Sequence, residues 1–186
     1  MKGFASVVTT SRLLKITGSL AVGALALTAC SANPGAAAVV DGSRITENTL
    51  ATTDTQLSPM LTADPAPTQV LQLLIAAPQF LQVASENGIA YSDQQAQEVL
   101  EATAAAQGVP VADYSADTLR VTRMILAQGD LSQSPDGQAI LDDANARLTD
   151  SDVVISPRYG EWDAEANAIA AVTPDWILAP EAPVAG

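Results

Sequence analysis

Helical periodicity dominates the middle of the chain. Apolar residues recur there at alternating spacings of four and three, which places them on one face of an α-helix: Val70, Leu74, Ala77, Leu81 and Ala84. Pro78 falls inside this pattern and cannot donate a hydrogen bond to the carbonyl of Leu74. We therefore expect a kink at this point or a break into two helices.

Similar reasoning predicts four more helices. Thr46, Ser92 and Ser115 are good N-cap residues, and Ser92 also opens a capping box. Ser134-Pro135 marks a further start, because proline suits the first position of a helix. The predicted ranges are 47–61, 93–107, 116–129 and 135–148.

Short strand-like runs flank the helical region. Residues 38–42 end in an Asp-Gly turn, and the β-branched run at residues 152–157 ends in a proline. Two short strands are not stable alone in water, so they should pair with each other. The sequence therefore predicts a mainly α fold, a helical array closed by a short two-stranded antiparallel sheet that joins the two ends of the domain.

The first 29 residues have the pattern of a lipoprotein signal peptide. A basic segment precedes an apolar run of about a dozen residues, which is too short to span a bilayer. The run ends in Leu27-Thr28-Ala29-Cys30, which resembles a lipobox. We predict acylation of Cys30 before cleavage, although a lone cysteine is more often a buried free thiol.

The remaining chain divides into three predicted parts. Residues 30–36 form a lipidated tether that spans about 20 Å when fully extended. Residues 37–163 form the domain, and residues 164–186 form a C-terminal extension that we expect to be partly disordered. The 157 residues after the signal peptide are enough to bury a core without disulfides.

Charge is distributed unevenly along the chain. Residues 1–29 contain Lys2, Arg12 and Lys15 but no acid, whereas all 21 acidic residues and five arginines lie after them. The chain from residue 30 onward therefore has a net charge of −16. A surface this acidic repels phosphate backbones, so we do not expect nucleic acid as a partner.

Several kinds of catalysis need residue types that this chain lacks. It has no histidine, its only cysteine is Cys30, and no lysine follows Lys15. This excludes Ser-His-Asp and Cys-His nucleophiles, zinc sites built on histidine or paired cysteine, and Schiff-base chemistry. We expect neither enzymatic activity nor a cofactor.

One acidic segment, which contains Glu161, Asp163 and Glu165, resembles the start of a calcium-binding loop. An EF-hand requires glycine and glutamate where this chain has Ala168 and Pro174. We therefore expect solvent-exposed surface in this segment and no metal site.

Two segments resemble a known family. Ala38-Val39-Val40-Asp41-Gly42, followed by Ile45-Thr46-Glu47, resembles the start of the N-terminal domain in the SurA/PrsA class of extracytoplasmic chaperones. Residues 154–163, which read Val-Ile-Ser-Pro-Arg-Tyr-Gly-Glu-Trp-Asp, resemble the closing segment of small actinobacterial lipoproteins in that class. The resemblance covers about residues 30–163.

The resemblance implies a function for the predicted domain. In this family the two end segments meet, and the helices form a module that holds unfolded or maturing secreted chains. Some members also contain a parvulin-type prolyl isomerase domain. Here the helices occupy the interval where that domain would lie, and its histidines are absent, so the resemblance implies a chaperone without isomerase activity.

Three residues near the C-terminal end are candidates for partner binding. Arg158, Tyr159 and Trp162 are of the types enriched in binding hot spots. A structural interpretation is that the two rings cover the end of the sheet while Arg158 pairs with an acid. We favour the structural interpretation because aromatic residues of this chain lie at the ends of predicted elements.

Two functional hypotheses follow. The first is a lipoprotein on the extracytoplasmic face of the cell membrane, anchored through acylated Cys30, that binds unfolded or nascent secreted polypeptides without ATP. Leu71, Ile75 and Met124 could line a groove for them, although their helical spacing favours a core. The second is a non-catalytic adaptor that docks on one cell-envelope partner through residues 158–162 or Trp176.

Overall fold

A computed structural model describes residues 34–60, 65–111 and 113–172. The predicted signal peptide lies outside these ranges, as do the proposed lipidation residues: Leu27, Thr28, Ala29 and Cys30. Trp176 and the rest of residues 173–186 also lie outside them. Among the described residues, no helix is both long and apolar enough to cross a membrane.

The described part of the chain contains five α-helices and two small antiparallel sheets, which confirms the predicted mainly α class. The first half contains β1 (Ala36–Val40), β2 (Ser43–Thr46), α1 (Glu47–Leu57), a 3₁₀ turn (Ser58–Met60), α2 (Pro67–Glu86) and α3 (Asp93–Gln107). The second half contains α4 (Ala116–Leu131), α5 (Gly137–Thr149), β3 (Val153–Ile155), β4 (Glu161–Asp163) and β5 (Ala168–Ala170).

Side-chain caps start three of the helices where the sequence predicts them. The hydroxyl of Thr46 accepts a hydrogen bond from the Thr49 amide at 3.0 Å, and that of Ser115 accepts one from the Thr118 amide at 3.2 Å. Ser92 forms the predicted capping box with the residue three positions later. Each cap satisfies an amide that has no partner within its helix.

Three predicted helix boundaries are wrong, including the end of α4, which lies at Leu131 rather than at residue 129. Helix α1 ends at Leu57 rather than at residue 61, and Pro59, which cannot donate a backbone hydrogen bond, lies in the 3₁₀ turn that follows. Helix α5 begins at Gly137 rather than at residue 135. Its start is delayed because a turn, closed by a 3.1 Å hydrogen bond from the Gly137 amide to the Ser134 carbonyl, comes first.

Helix α2 does not break at Pro78 but continues as one helix from Pro67 to Glu86. The expected break is absent, and Pro78 lies on the solvent-exposed side of the helix. Its missing N–H still leaves the carbonyl of Leu74 without the usual helical donor.

The main sheet pairs the two ends of the domain, as the sequence predicts. Strand β1 lies in the middle of the order β2-β1-β3 and is antiparallel to both neighbours, with Val39 opposite Val154. The prediction of two strands is wrong, because a two-residue turn brings β2 back onto β1. This turn has positive φ angles of 48° at Asp41 and 77° at Gly42, as a type I′ hairpin turn requires.

A second hairpin, β4–β5, follows the main sheet and was not expected from the sequence. Gly160 is needed at its start, because φ is 121° there and a Cβ would lie 2.2 Å from the Ala170 carbonyl oxygen. The side-chain amide of Gln72 on α2 donates to the Asn167 carbonyl at 2.9 Å and fixes the hairpin on that helix. Residues assigned to the C-terminal extension thus include β5.

Helix α2 is the centre of the hydrophobic core. Its N-terminal half packs with the sheet and α1, and its C-terminal half packs with α4 and α5. Leu71 and Ile75 are completely buried, and Met124 is 1% exposed. These three residues form core, not the surface groove that the chaperone hypothesis offered as an alternative.

Deleting residues 152–163 removes β3 and β4, and it should destabilise the whole domain. Strand β1 would lose one of its two neighbours, and the core would lose the side chains beneath β3. Thermal unfolding followed by circular dichroism should show a lower Tm and a loss of cooperativity. Val154→Thr, at an exposed position of β3, is the control and should change stability by less than about 0.5 kcal/mol.

A deletion variant that keeps the helix content and Tm of the intact chain would contradict this dependence of the helical array on its closing strand.

Candidate functional site

Arg158 and Tyr159 meet at the start of helix α1. The Tyr159 hydroxyl donates a hydrogen bond of 2.5 Å to a carboxylate oxygen of Glu47. The nearest guanidinium nitrogen of Arg158 is 3.4 Å from the other oxygen, and its Cζ lies 5.4 Å from the centroid of the Tyr159 ring. These contacts connect the segment after β3 to the segment after β2.

Trp162 lies apart from this cluster, in strand β4 opposite Ile169. It is half-buried and packs against the core beneath the main sheet, and its indole nitrogen is buried without a hydrogen-bond partner. The structure therefore brings two of the three candidate residues together and places the third on the hairpin. Arg158 pairs with an acid, Glu47, as the structural interpretation predicts.

The environment of Tyr159 changes its titration. Burial of the ring is the largest cause of its raised pKa, and the hydrogen bond to Glu47 adds to the shift. Both effects disfavour the phenolate, because it would lie in a less polar site beside a carboxylate. The hydroxyl therefore remains a donor to Glu47 throughout the neutral pH range.

A different part of the surface offers a cleft of about 180 Å³. It lies between the β1–β2 hairpin and helices α2 and α4. Its apolar lining includes Val40, Ile45 and Leu74, and its polar rim includes Asp117 and Arg120. Small-molecule sites usually enclose about 300–1,000 Å³, so this cleft suits a short segment or a single side chain better than a bulky ligand.

One wall of the cleft is the free edge of strand β2. Strand β1 pairs with one side of β2, and no other described strand pairs with the opposite side. In a two-residue hairpin Val40 and Ser43 exchange hydrogen bonds, so the next pair, Val39 and Arg44, does not. The backbone N–H and C=O of Arg44 therefore face away from β1.

The opposite wall contains the proline inside helix α2. Pro78 and Leu74 both line the cleft, and Pro78 leaves the Leu74 carbonyl without a helical donor. A proline in a helix interior is about 3 kcal/mol less favourable than alanine. Pro78 therefore opposes the helix in which it lies. Natural proteins keep such locally unfavourable residues at functional sites.

The charged groups that line the cleft all have partners, but only two of them pair with each other, and Arg44 donates to the Pro34 carbonyl. Arg120 forms an ion pair with Asp117 on the same helix. The amide of Gln79 donates to Asp41 at 3.2 Å. In the described ranges, no three residues of the metal-binding types lie close enough to hold an ion. The arrangement offers hydrogen-bonding groups and apolar contact.

Sequence reasoning missed this cleft because its walls come from residues that lie far apart in the chain. Only Pro78 gave a signal, and it was interpreted as a kink. The proposed lipidation site gains no test here, since Cys30 lies outside the described residues. Comparisons with protein-family models, with curated proteins and with solved structures gave no match to this chain.

Tyr159→Phe should lower the free energy of unfolding by about 1 kcal/mol near neutral pH, because it removes the hydrogen bond to Glu47. The folded-state pKa of Tyr159 is raised, so its contribution is complete below the unfolded value of about 10 and disappears as the pH rises through the folded value. Urea unfolding of both proteins between neutral and strongly alkaline pH measures this difference.

If the difference in unfolding free energy between the unaltered chain and Tyr159→Phe stays constant up to strongly alkaline pH, the hydrogen bond between Tyr159 and Glu47 is not the cause.

Proposed function

We propose that this chain is a lipid-anchored, extracytoplasmic protein that binds extended segments of unfolded or maturing polypeptides, without catalysis and without ATP. The signal-peptide pattern and lipobox support the location. The resemblance of both end segments to SurA-type chaperones supports the activity. The cleft between the hairpin and helices α2 and α4 is the proposed binding site.

The observation that carries this proposal is that two features line opposite walls of one cleft. One is the free edge of strand β2, and the other is the proline inside helix α2. An extended peptide that lies along β2 would accept a hydrogen bond from the Arg44 N–H and donate one to the Arg44 carbonyl. Addition of a strand to a sheet edge is a common mode of peptide recognition, and it depends little on sequence.

The other wall adds to the same binding mode. An N–H group of the bound peptide would replace the helical donor that the Leu74 carbonyl lacks because of Pro78. Val40 and Ile45 provide apolar contact for one side chain of the bound segment. Backbone hydrogen bonds with a shallow apolar contact suit a protein that holds many different unfolded segments briefly.

The adaptor hypothesis remains the second candidate. The cleft is small, and the large apolar side chains exposed on the described surface are dispersed: Val99, Val111, Ile125, Val154 and Val172. A chaperone that suppresses aggregation usually exposes a broader apolar surface. One defined partner that inserts a short segment into the cleft would fit this surface equally well.

Pro78→Ala tests the cleft directly. It should raise the free energy of unfolding by up to about 3 kcal/mol, because it restores a helical hydrogen bond. It should also weaken suppression of aggregation of an unfolded secreted protein, since the Leu74 carbonyl is then occupied. Light scattering at equimolar protein and substrate measures the activity, and thermal unfolding measures the stability.

Ser85→Ala is the matched control, because Ser85 is an exposed α2 residue outside the cleft and alanine also favours the helix. It should leave aggregation suppression unchanged. If Pro78→Ala stabilises the chain and retains full activity, the cleft is not the binding site. If the unaltered chain suppresses no aggregation but forms a stoichiometric complex with one envelope protein, the adaptor hypothesis replaces the chaperone hypothesis.

Cys30→Ser tests the anchor separately. It removes the only thiol that could carry a diacylglycerol, so the variant should take up no labelled palmitate in cells and should remain uncleaved or leave the membrane fraction. Ser31→Ala, one residue later, keeps the thiol and should be labelled normally. Palmitate labelling that persists in Cys30→Ser would exclude lipidation at this residue.

A further inference from the structure

The three-stranded sheet is free of acids in a chain that is otherwise rich in them. Strands β1, β2 and β3 read AAAVV, SRIT and VVI, so their only charged residue is Arg44. The rest of the chain after residue 29 contains 21 acids. Asp41, Glu47 and Asp152 lie at the ends of these strands, so the acid-free area is confined to the strands themselves.

One face of this sheet is partly exposed to solvent, at Arg44 and Val154. Side chains alternate along a strand, and Val40, which is opposite Ser43, is buried against the helices. The intervening positions, Val39, Arg44 and Val154, therefore share the opposite side, which we call the outer sheet face. Val154 is 53% exposed there, although it is a large apolar residue.

The described chain begins directly beside this face. A guanidinium nitrogen of Arg44 donates to the Pro34 carbonyl at 2.8 Å. The Glu47 amide donates to the Gly35 carbonyl at 2.9 Å. Cys30 precedes Pro34 by four residues, a contour length of at most about 14 Å. A lipid on Cys30 would therefore keep the bilayer surface within reach of Arg44.

Two arginines lie at this end of the domain. Arg44 is the one arginine in the described ranges that has no carboxylate within ion-pair distance. The Arg158 side chain is 66% exposed, and it approaches Glu47 at only 3.4 Å, where Glu47 also accepts the Tyr159 hydroxyl. The two guanidinium groups are thus held by the residues next to the anchor and remain open to solvent.

We propose that the outer sheet face, together with Arg44 and Arg158, is the membrane-contacting surface of this protein, and that its partner is the phosphate groups of anionic lipids in the bilayer to which Cys30 is anchored. The inference rests on the lipid anchor of the proposed function but not on peptide binding in the cleft. Phosphate matches the guanidinium donors, and the apolar valines suit the interfacial region.

Tethering makes such a weak contact effective. Once the chain is anchored, contact with the bilayer is intramolecular and needs little intrinsic affinity. Each arginine near an anionic surface contributes roughly a fivefold preference for the contacting orientation. The acidic remainder of the domain is repelled by the same surface, and both effects extend over about 8 Å at physiological salt.

The test uses the chain from Cys30 onward, which keeps every described residue, coupled through its single thiol to a maleimide lipid in a nanodisc. A gadolinium chelate on neighbouring headgroups broadens methyl signals near the bilayer. In discs of phosphatidylcholine with phosphatidylglycerol, Val39 and Val154 should broaden far more than Val99 and Val111, which are exposed on or after α3. Discs of phosphatidylcholine alone should show a smaller difference.

Arg44→Gln should reduce the selective broadening of Val39 and Val154 by roughly fivefold, and Arg158→Gln should reduce it further. Arg147→Gln removes the same charge from helix α5 and should have no effect. Equal broadening of all four valines, or no effect of Arg44→Gln, would overturn the proposal. So would a concentration-dependent loss of the Val154 signal without discs, because a second copy would then cover this face.

The chemical anchor keeps this test separate from the others. It does not depend on whether a cell acylates Cys30, and it does not measure aggregation suppression. A negative nanodisc result would therefore not contradict peptide binding in the cleft. A negative aggregation result would not contradict the membrane-contacting surface.

Discussion

Burial of helix α2 is the constraint on which the rest of the domain depends. Eight of its residues are buried, and they lie on sides that face the sheet, α1, α4 and α5. A helix with this much apolar surface is stable in water only when other elements surround it. Only a narrow line along α2 stays exposed, and Pro78 lies on it. The proline therefore removes a helical hydrogen bond at a position that does not pack in the core.

The closing of the sheet completes that enclosure. Strand β1 begins the described domain, and β3 follows it more than a hundred residues later, so the two ends of the domain become neighbours. Asp41 and Asp152 join β1 to β3 through two hydrogen bonds of 2.9 Å. The Asp41 amide donates to the Asp152 carbonyl, and the Asp152 amide donates to the Asp41 carboxylate. Because β1 is the central strand, the start of the domain is fixed beside Arg44, Glu47 and Tyr159. This placement gives the proposed membrane contact a defined orientation.

Strand β2 serves two surfaces at once. Ser43, Arg44 and Ile45 all line the cleft, and the Arg44 side chain also shares the outer sheet face with Val39 and Val154. A domain that rests on the bilayer by its outer sheet face would hold the cleft close to the membrane.

The sequence alone determined the presence of the five helices, the caps of α1, α3 and α4, and the meeting of the two end strands, because each depends on local periodicity, local capping chemistry or the instability of a lone strand. It also determined that Leu71, Ile75 and Met124 belong to a core and that catalysis based on histidine or paired cysteine is excluded. The tertiary structure alone decided the third strand, the β4–β5 hairpin, the cleft and the partners of Arg158 and Tyr159. These features join residues as far apart as Glu47 and Tyr159, and no local pattern encodes which distant residues meet. That choice follows from how the elements around α2 bury its surface together.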